Sequence, residues 1–136
     1  RPITRAEAIT VLARAFQLSK QRALNFKDIG NSHWAYQYIA EGLQAGIIEG
    51  YPDGTFGPDQ PVTRMEMTAM IARSLKMTGK HRGQVPFSDI DESYWGTALL
   101  KQMKAEGLIG GYDDGSFRPD QQATRAEFVQ LLAGAL

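Results

Sequence analysis

Three arginines in this chain occupy the same place in a recurring Thr-Arg-x-Glu pattern. They are Arg5, Arg64 and Arg125, each preceded by a threonine and followed two residues later by a glutamate. This spacing is typical of a capping box, in which Thr is the N-cap and Glu is the third residue of a helix. The arginine is then the first helical residue, where a positive charge opposes the helix dipole by about 0.3–1 kcal/mol. Helix stability explains the Thr and the Glu but not the Arg.

A guanidinium beside the free N–H groups of a helix N-terminus is suited to binding a carboxylate or a phosphate. We therefore favour an anion-binding role for the three arginines. The alternative is a salt bridge from each arginine to a neighbouring Asp or Glu, and the sequence leaves that alternative open.

The pattern belongs to a longer repeat. Trp34 and Trp95 lie 61 positions apart, as do Phe56 and Phe117, whereas the first two Thr-Arg-x-Glu copies are 59 apart because a connector differs by two residues. A fixed period with length changes only in connectors indicates an array of one supersecondary unit. We assign residues 1–18 to the second helix of a truncated first motif, 26–80 to a second motif and 87–136 to a third, all within one domain.

Each Thr-Arg-x-Glu is expected to open a helix. The apolar residues that follow are spaced i, i+3, i+4 and i+7, the pattern of an amphipathic helix. We predict that all three helices present a narrow apolar stripe and pack against each other around a common axis. The stripes are Ile9, Leu12, Ala13 and Phe16; Thr68, Ile71, Ala72 and Leu75; and Val129, Leu132, Ala133 and Leu136.

A second type of helix is predicted earlier in each whole unit. Ser32 and Ser93 are its expected N-caps, the tryptophan falls in its first turn, and it ends near Gly46 or Gly107. The class of fold is therefore mainly α, with tandem helix-turn-helix units.

A Gly-rich segment follows this helix, at residues 50–56 and again at 111–117. Pro52 at its third position and glycine at its fifth favour a tight turn at the tip of a short hairpin. Tyr51 and Tyr112 lie beside glycines that allow close approach of a ligand to the backbone. We include both tyrosines among the candidate ligand-binding residues.

Trp34 and Trp95 have two interpretations. An indole at this position is a core anchor between units, which we favour, or a platform exposed to a ligand, and both roles can hold if the ring buries one face and offers an edge. Asp28 and Asp89, each two residues after a phenylalanine, either cap a turn or accept hydrogen bonds from ligand hydroxyls.

Composition excludes several classes of function. The 15 basic and 15 acidic residues cancel, so no global field favours nucleic acid. The absence of cysteine removes disulfides and thiolate chemistry, and no apolar run approaches the ~20 residues needed to span a bilayer. We expect no membrane insertion, and any export signal must lie outside this sequence. The basic connector Lys76–Val85 is interpreted as a solvated linker rather than a functional patch.

Catalytic and metal sites are not indicated. His33 and His81 are not matched between the units, and no nucleophile-base pattern or phosphate-binding loop occurs. The acidic pair Asp113 and Asp114 lacks the alternating oxygen ligands of a calcium loop. We predict no enzyme activity, no cofactor and no metal.

These motifs together resemble the S-layer homology family. The resemblance covers almost the whole chain. The segments that carry it are Phe-x-Asp at 26–28, His-Trp-Ala at 33–35, the Gly-rich run at 46–56 and Ile-Thr-Arg-Ala-Glu at 3–7. The resemblance implies a pseudo-threefold spindle of helices with short hairpin prongs. It also implies grooves between adjacent motifs that bind secondary cell-wall polysaccharide, typically at a pyruvylated amino sugar. The pyruvyl ketal of such a sugar carries a carboxylate, which is the kind of anion that the three arginines are expected to bind.

The resemblance therefore implies a noncatalytic anchoring module of the bacterial cell surface, part of a larger exported protein. The candidate ligand-binding residues are Arg5, Arg64, Arg125, Asp28, Asp89, Trp34, Trp95, Tyr51 and Tyr112. The alternative function is a structural spacer or protein-interaction repeat without carbohydrate binding.

The chain departs from the family pattern in four places, and we expect these to alter affinity at one groove more than the fold. They are Met65 and Gly96 in place of Ala, Asp113 in place of Pro, and Ala123 before the last Thr. The front half of the first motif is not in the sequence, so the groove that would use Arg125 is expected to lack one wall.

Overall fold

A computed structural model describes residues 1–79 and 83–136. Within them the chain forms five helices and no extended strands. None of these helices combines the length and apolar character required to cross a membrane. The helices are α1 (Arg5–Ala15), α2 (Tyr36–Gln44), α3 (Arg64–Ser74), α4 (Thr97–Ala105) and α5 (Arg125–Ala135).

Helices α1, α3 and α5 start at the predicted capping boxes. In α1, the Glu7 amide donates to the Thr4 hydroxyl at 3.1 Å and the Thr4 amide donates to the Glu7 carboxylate at 3.0 Å. The same reciprocal pair is present at the start of α3 and of α5. The assignment of the Thr and the Glu to helix capping is confirmed.

Helices α2 and α4 start later than predicted. Their N-cap residues are Ala35 and Gly96, which have no side-chain cap, so the assignment of Ser32 and Ser93 as N-caps is wrong. A tight turn precedes α2 instead, with the His33 amide donating to the carbonyl of Gly30 at 3.0 Å. Trp34 lies in the next turn, where the Tyr36 amide donates to the His33 carbonyl at 3.1 Å, and Trp95 lies in the equivalent turn before α4.

The ends of these two helices agree with the sequence. Gly46 and Gly107 follow α2 and α4 with φ of 75° and 76°, the left-handed conformation that glycine adopts most readily. The Ile47 amide donates back to the carbonyl of Gly42 at 3.0 Å, which closes the helix end.

The Gly-rich segments form the expected hairpin turns. The Tyr51 amide donates to the Thr55 carbonyl at 2.8 Å, and the Tyr112 amide donates to the Ser116 carbonyl at 2.9 Å. Gly54, at the tip, has a φ of 87°. These turns are called prongs below: prong 1 is residues 50–56 and prong 2 is residues 111–117.

A closed ring of backbone hydrogen bonds joins the three capping segments. The Val62 amide donates to Ile3 at 2.9 Å, the Ala123 amide to Val62 at 2.8 Å, and the Ile3 amide to Ala123 at 3.2 Å. Three isolated antiparallel bridges accompany these bonds, one of them between Pro2 and Thr124. The ring is the pseudo-threefold axis of the spindle, and the predicted fold class is confirmed.

Packing around the axis differs from the predicted stripe-on-stripe arrangement. Helix α1 packs mainly on α2, and α3 packs on α4, although α1 and α5 also contact α3. The stripe is buried at Ile9 and Leu12 in α1, but Val129 in α5 is 59% exposed and Leu136, the C-cap of α5, is 73% exposed. The α5 prediction is therefore wrong for these residues, because no helix packs on α5 in the described ranges as α2 packs on α1.

Two departures from the family pattern form one contact in the core. A Cβ atom at Gly96 would lie 2.5 Å from the Cε of Met65, so the small residue makes room for the large one. The equivalent positions in the preceding unit, Ala6 and Ala35, are both fully buried. The absence of a methyl group at Gly96 therefore leaves space for the end of the Met65 side chain.

The connector between α3 and α4 is described only in part. Its residues Lys80, His81 and Arg82 lie outside the described ranges. Before them, the Gly79 amide donates to the side chain of Gln102 in α4 at 3.0 Å, so this part of the connector is held against a helix.

Candidate binding grooves

Arg5 is held by the residues around prong 1. Its Nε donates to the Phe56 carbonyl at 3.0 Å, one terminal nitrogen donates to the Glu49 carbonyl, and the other pairs with the Glu66 carboxylate at 3.1 Å. The guanidinium also lies over the ring of Tyr51, 4.7 Å from its centroid. Arg5 is only 5% exposed, so its charge is neutralised inside the molecule.

Arg64 repeats this geometry in the next unit. Its Nε donates to the Phe117 carbonyl at 2.9 Å, its terminal nitrogen pairs with Glu127, and the guanidinium lies 4.7 Å from the centroid of the Tyr112 ring. For Arg5 and Arg64 the salt-bridge alternative left open by the sequence is the arrangement found. Their contact with a ligand stays a prediction.

The backbone N–H groups beside these arginines are already occupied. The Arg5 amide donates to Gln60 at 2.9 Å and the Ala6 amide donates to Pro58 at 3.0 Å. The capping threonine takes the third amide of the turn. The expectation of free helix-terminal donors is therefore wrong for α1, because the segment leading into the next capping box supplies the acceptors.

The glutamate of each capping box has a second role that the sequence did not indicate. One oxygen of Glu66 accepts from the Thr63 amide at 3.3 Å, while the other accepts from Arg5 at 3.1 Å. Glu127 caps α5 in the same way and pairs with Arg64. A single carboxylate thus caps its own helix and binds the arginine of the preceding unit.

Arg125 differs from the other two. Its side chain is exposed and has no hydrogen bond or ion pair within residues 1–79 and 83–136. The equivalent glutamate, Glu7, pairs instead with Arg1 at 2.8 Å. Arg125 remains an accessible cation.

The three arginines mark three related grooves. The Arg5 groove, a cavity of about 290 Å³, is lined by Arg5, Gly50, Tyr51, Glu66, Arg73 and Trp95. The Arg64 groove, of about 490 Å³, is lined by Arg64, Gly111, Glu127 and Gly134, the equivalents of Arg5, Gly50, Glu66 and Arg73, together with Gln130 and Leu131. The Arg125 groove, of about 260 Å³, is lined by Arg125, Glu7, Thr10, Val11, Trp34 and Val129.

Only the Arg5 groove has both a prong wall and a tryptophan within the described part of the chain. The Arg64 groove has the wall around Gly111 but no tryptophan in its lining. The Arg125 groove has Trp34 but no prong residue in its lining.

Both tryptophans point to solvent. Trp34 is 59% exposed and Trp95 is 58% exposed, so the favoured interpretation as core anchors is wrong. Their neighbours Ala35 and Gly96 are buried instead. Because each tryptophan precedes its helix, the indole lies outside the helix packing and is available for stacking.

Asp28 and Asp89 hold the prongs. The two oxygens of Asp28 accept from the amides of Phe56 and Gly57, each at 2.8 Å, and Asp89 binds the equivalent amides at the same distances. Desolvation acts to raise the pKa of Asp28, but the backbone N–H groups of Phe56 and Gly57 outweigh it and the pKa is lowered. The capping alternative from the sequence applies to both residues.

Arg73 is a lining residue that the sequence argument missed. It lies in the last turn of α3, on the same helix face as Glu66 and Met70, which also line the Arg5 groove. The sequence carries a signal for its position, because residues spaced i, i+4 and i+7, as 66, 70 and 73 are, share one face of a helix. Position 73 does not belong to the repeated motif, because its equivalents are Arg14 in α1 and Gly134 in α5.

The comparisons with known proteins agree with this architecture. The profile of the S-layer homology domain matches residues 25–68 and 86–129. The Cellulosome-anchoring protein of Acetivibrio thermocellus is 36% identical over 98% of this chain, which spans 32% of that protein. Cell surface glycoprotein 1 of the same organism is 32% identical over 100% of the chain, or 6% of its own length.

A solved structure has the same fold. It is an undecaheme cytochrome from the S-layer of Carboxydothermus ferrireducens, which matches 99% of this chain and 17% of its own with a TM-score of 0.62 at 14% identity. Other relatives carry enzyme names, such as a cell wall amidase and an endoglucanase, and the chain matches at most a quarter of their length. The relatives indicate an extracellular location at the bacterial cell surface. The chain belongs to the S-layer homology domain family.

Proposed function

We propose that this chain is a noncatalytic anchoring module that holds a larger exported protein to the bacterial cell wall. Its ligand is a secondary cell-wall polysaccharide carrying a pyruvylated sugar, bound in a groove between adjacent motifs. Family membership and the similarity to the Cellulosome-anchoring protein and Cell surface glycoprotein 1 support the anchoring role. The observation that carries the proposal is the Arg5 groove, which joins an exposed indole, a tyrosine and cationic side chains in one concave surface.

This groove has the elements that recognition of an acidic sugar requires. Trp95 presents an open aromatic face on which a sugar ring can stack, and Tyr51 is also exposed. A ketal carboxylate adds a charge that guanidinium groups bind with charge-assisted hydrogen bonds. The volume of about 290 Å³ lies at the lower end of the range for small-ligand sites, which suits the terminal sugar of a polymer.

Calorimetric titration with a synthetic pyruvylated disaccharide and with the same disaccharide lacking the ketal tests this proposal. We expect the ketal form to bind at least about 10-fold more tightly, which corresponds to about 1.4 kcal/mol. Equal affinity for the two forms would remove the carboxylate from recognition. Failure of both forms and of the purified wall polymer to bind would favour the spacer function.

The aromatic contact has a matched control. Trp95→Ala is expected to weaken binding because it removes the stacking face from the Arg5 groove. Trp34→Ala removes an equally exposed indole from the Arg125 groove, which has no prong wall in its lining. We expect Trp34→Ala to retain most of the affinity, and equal losses in the two variants would contradict the choice of groove.

A further inference from the structure

Arg5, although it is the signature arginine of the groove, has little capacity left for a ligand. Its Nε and both terminal nitrogens donate to internal acceptors, and its charge is paired with Glu66 at 3.1 Å. A carboxylate entering the groove would have to compete with Glu66 for the same guanidinium. Arg5 is therefore poorly placed to distinguish an acidic sugar from a neutral one.

Arg73 has that capacity. It lines the same groove from the last turn of α3, is partly buried, and has no ion pair or side-chain hydrogen bond within residues 1–79 and 83–136. A guanidinium with open donors on the wall of a cavity binds a carboxylate through two parallel N–H···O bonds.

The related groove provides an internal comparison. Gly134 takes the place of Arg73 in the Arg64 groove, where the one lining guanidinium in the described residues is the already paired Arg64. In α1 the equivalent Arg14 lies 5.4 Å from the ring centroid of Tyr38 in α2 and does not line the Arg125 groove described above. The open cation is thus specific to one of the two prong-walled grooves.

One carboxylate opposes an acidic ligand. Glu49 also lines the Arg5 groove; its backbone carbonyl binds Arg5, and its side chain forms no ion pair with Arg73. Its negative charge weakens the attraction of the groove for an anion, and the positive charge of Arg73 counteracts this repulsion.

We propose that Arg73 is the residue that binds the carboxylate of the ligand in the Arg5 groove and gives that groove its preference for an acidic sugar. The proposal rests on the proposed function, since it names the contact that recognises the ketal. Arg5 then serves to position Tyr51 and prong 1, and the Arg64 groove, which has glycine at the equivalent position, discriminates poorly between acidic and neutral sugars.

The test measures affinity for the pyruvylated and unketalised disaccharides in wild type, Arg73→Ala and Arg14→Ala. Arg14→Ala is the matched control because it removes the same side chain from the same helical position outside a groove. We expect Arg73→Ala to lose about 10- to 100-fold in affinity for the ketal form and little for the neutral form. Arg14→Ala should bind as wild type does, and far-UV circular dichroism checks that all three proteins are folded.

A second variant tests whether negative charge in the Arg5 groove weakens binding of the acidic ligand. Glu49→Gln is expected to raise affinity for the ketal form by about 2- to 5-fold, because it removes a like charge from the groove. Wild-type binding of the ketal form that survives Arg73→Ala unchanged would overturn the assignment of Arg73 while leaving the anchoring function standing. Absence of binding by the wild-type protein would instead contradict the proposed function itself.

Discussion

The signature arginine of this chain is a structural residue at two of its three positions. The sequence places each arginine at a helix terminus where its charge is unfavourable, and from this we inferred a role in binding an anion. The unfavourable interaction of each arginine with the helix dipole is instead offset by internal partners. Glu66 and two backbone carbonyls surround Arg5, and Glu127 and one carbonyl contact Arg64. The partners of Arg5 lie 44 to 61 residues away, so no local pattern could have identified them.

We expect Arg5→Ala to destabilise the fold by about 2–4 kcal/mol, because it leaves buried carbonyls without donors and Glu66 without its partner. Chemical denaturation followed by circular dichroism measures this loss. Arg125→Ala is the control, and it should change stability by no more than about 0.5 kcal/mol because Arg125 is exposed. Equal stability of the two variants would show that the ion pair contributes nothing.

At the scale of the elements, the prongs are positioned by carboxylates rather than by their own turns. Asp28 reaches prong 1 from 28 residues earlier in the chain and holds two successive amides. Since Phe56 of this prong binds Arg5, the position of the groove wall depends on Asp28.

Asp28→Asn is expected to cost about 1 kcal/mol near neutral pH, since an amide oxygen replaces only one of the two acceptors. The pKa of Asp28 in the fold lies below its ordinary value of 3.8, so the carboxylate stabilises the fold fully above that pH. This contribution is lost as the pH falls further, through the lowered pKa. Urea denaturation at pH 6 and pH 3 should show the gap between wild type and variant narrowing at pH 3.

The control for this experiment is Asp59→Asn. Asp59 is exposed, and within the described residues its carboxylate accepts no hydrogen bond, unlike that of Asp28. A gap between wild type and Asp28→Asn that stayed constant with pH would contradict the role given to the carboxylate.

Element by element, the sequence predicted what depends on local geometry. Capping boxes, helix-ending glycines and prongs all have short-range signals, and the structure contains each of them. The sequence could not predict the exposure of Trp34 and Trp95, because that exposure depends on the tight turns before α2 and α4, which delay the start of both helices. The exposure of Val129 had no local signal either, since its periodicity is that of a buried residue.

For the whole molecule, the backbone ring and a shared core argue for one cooperative unit. One hydrophobic cluster runs from Ile3 in the first capping segment to Leu132 in α5, and a smaller cluster around Phe87 and Phe117 lies beside it. The assignment of all motifs to a single domain stays a prediction that an unfolding experiment can test.

Single-tryptophan variants report on each whole motif separately. Trp34→Phe leaves Trp95 as the reporter and Trp95→Phe leaves Trp34, and both changes affect exposed side chains. We expect the two fluorescence transitions to coincide with each other and with circular dichroism, as two-state unfolding requires. Separate midpoints would show that the motifs unfold independently.

The backbone ring also decides how the molecule responds to tension. The carbonyl of Arg1 accepts from the Arg125 amide at 2.9 Å, and Ile3 donates to Ala123 beside it. A pull that detaches the first residues and a pull that detaches the start of α5 therefore rupture the same bonds. Mechanical load applied to either segment therefore acts on the same few backbone hydrogen bonds.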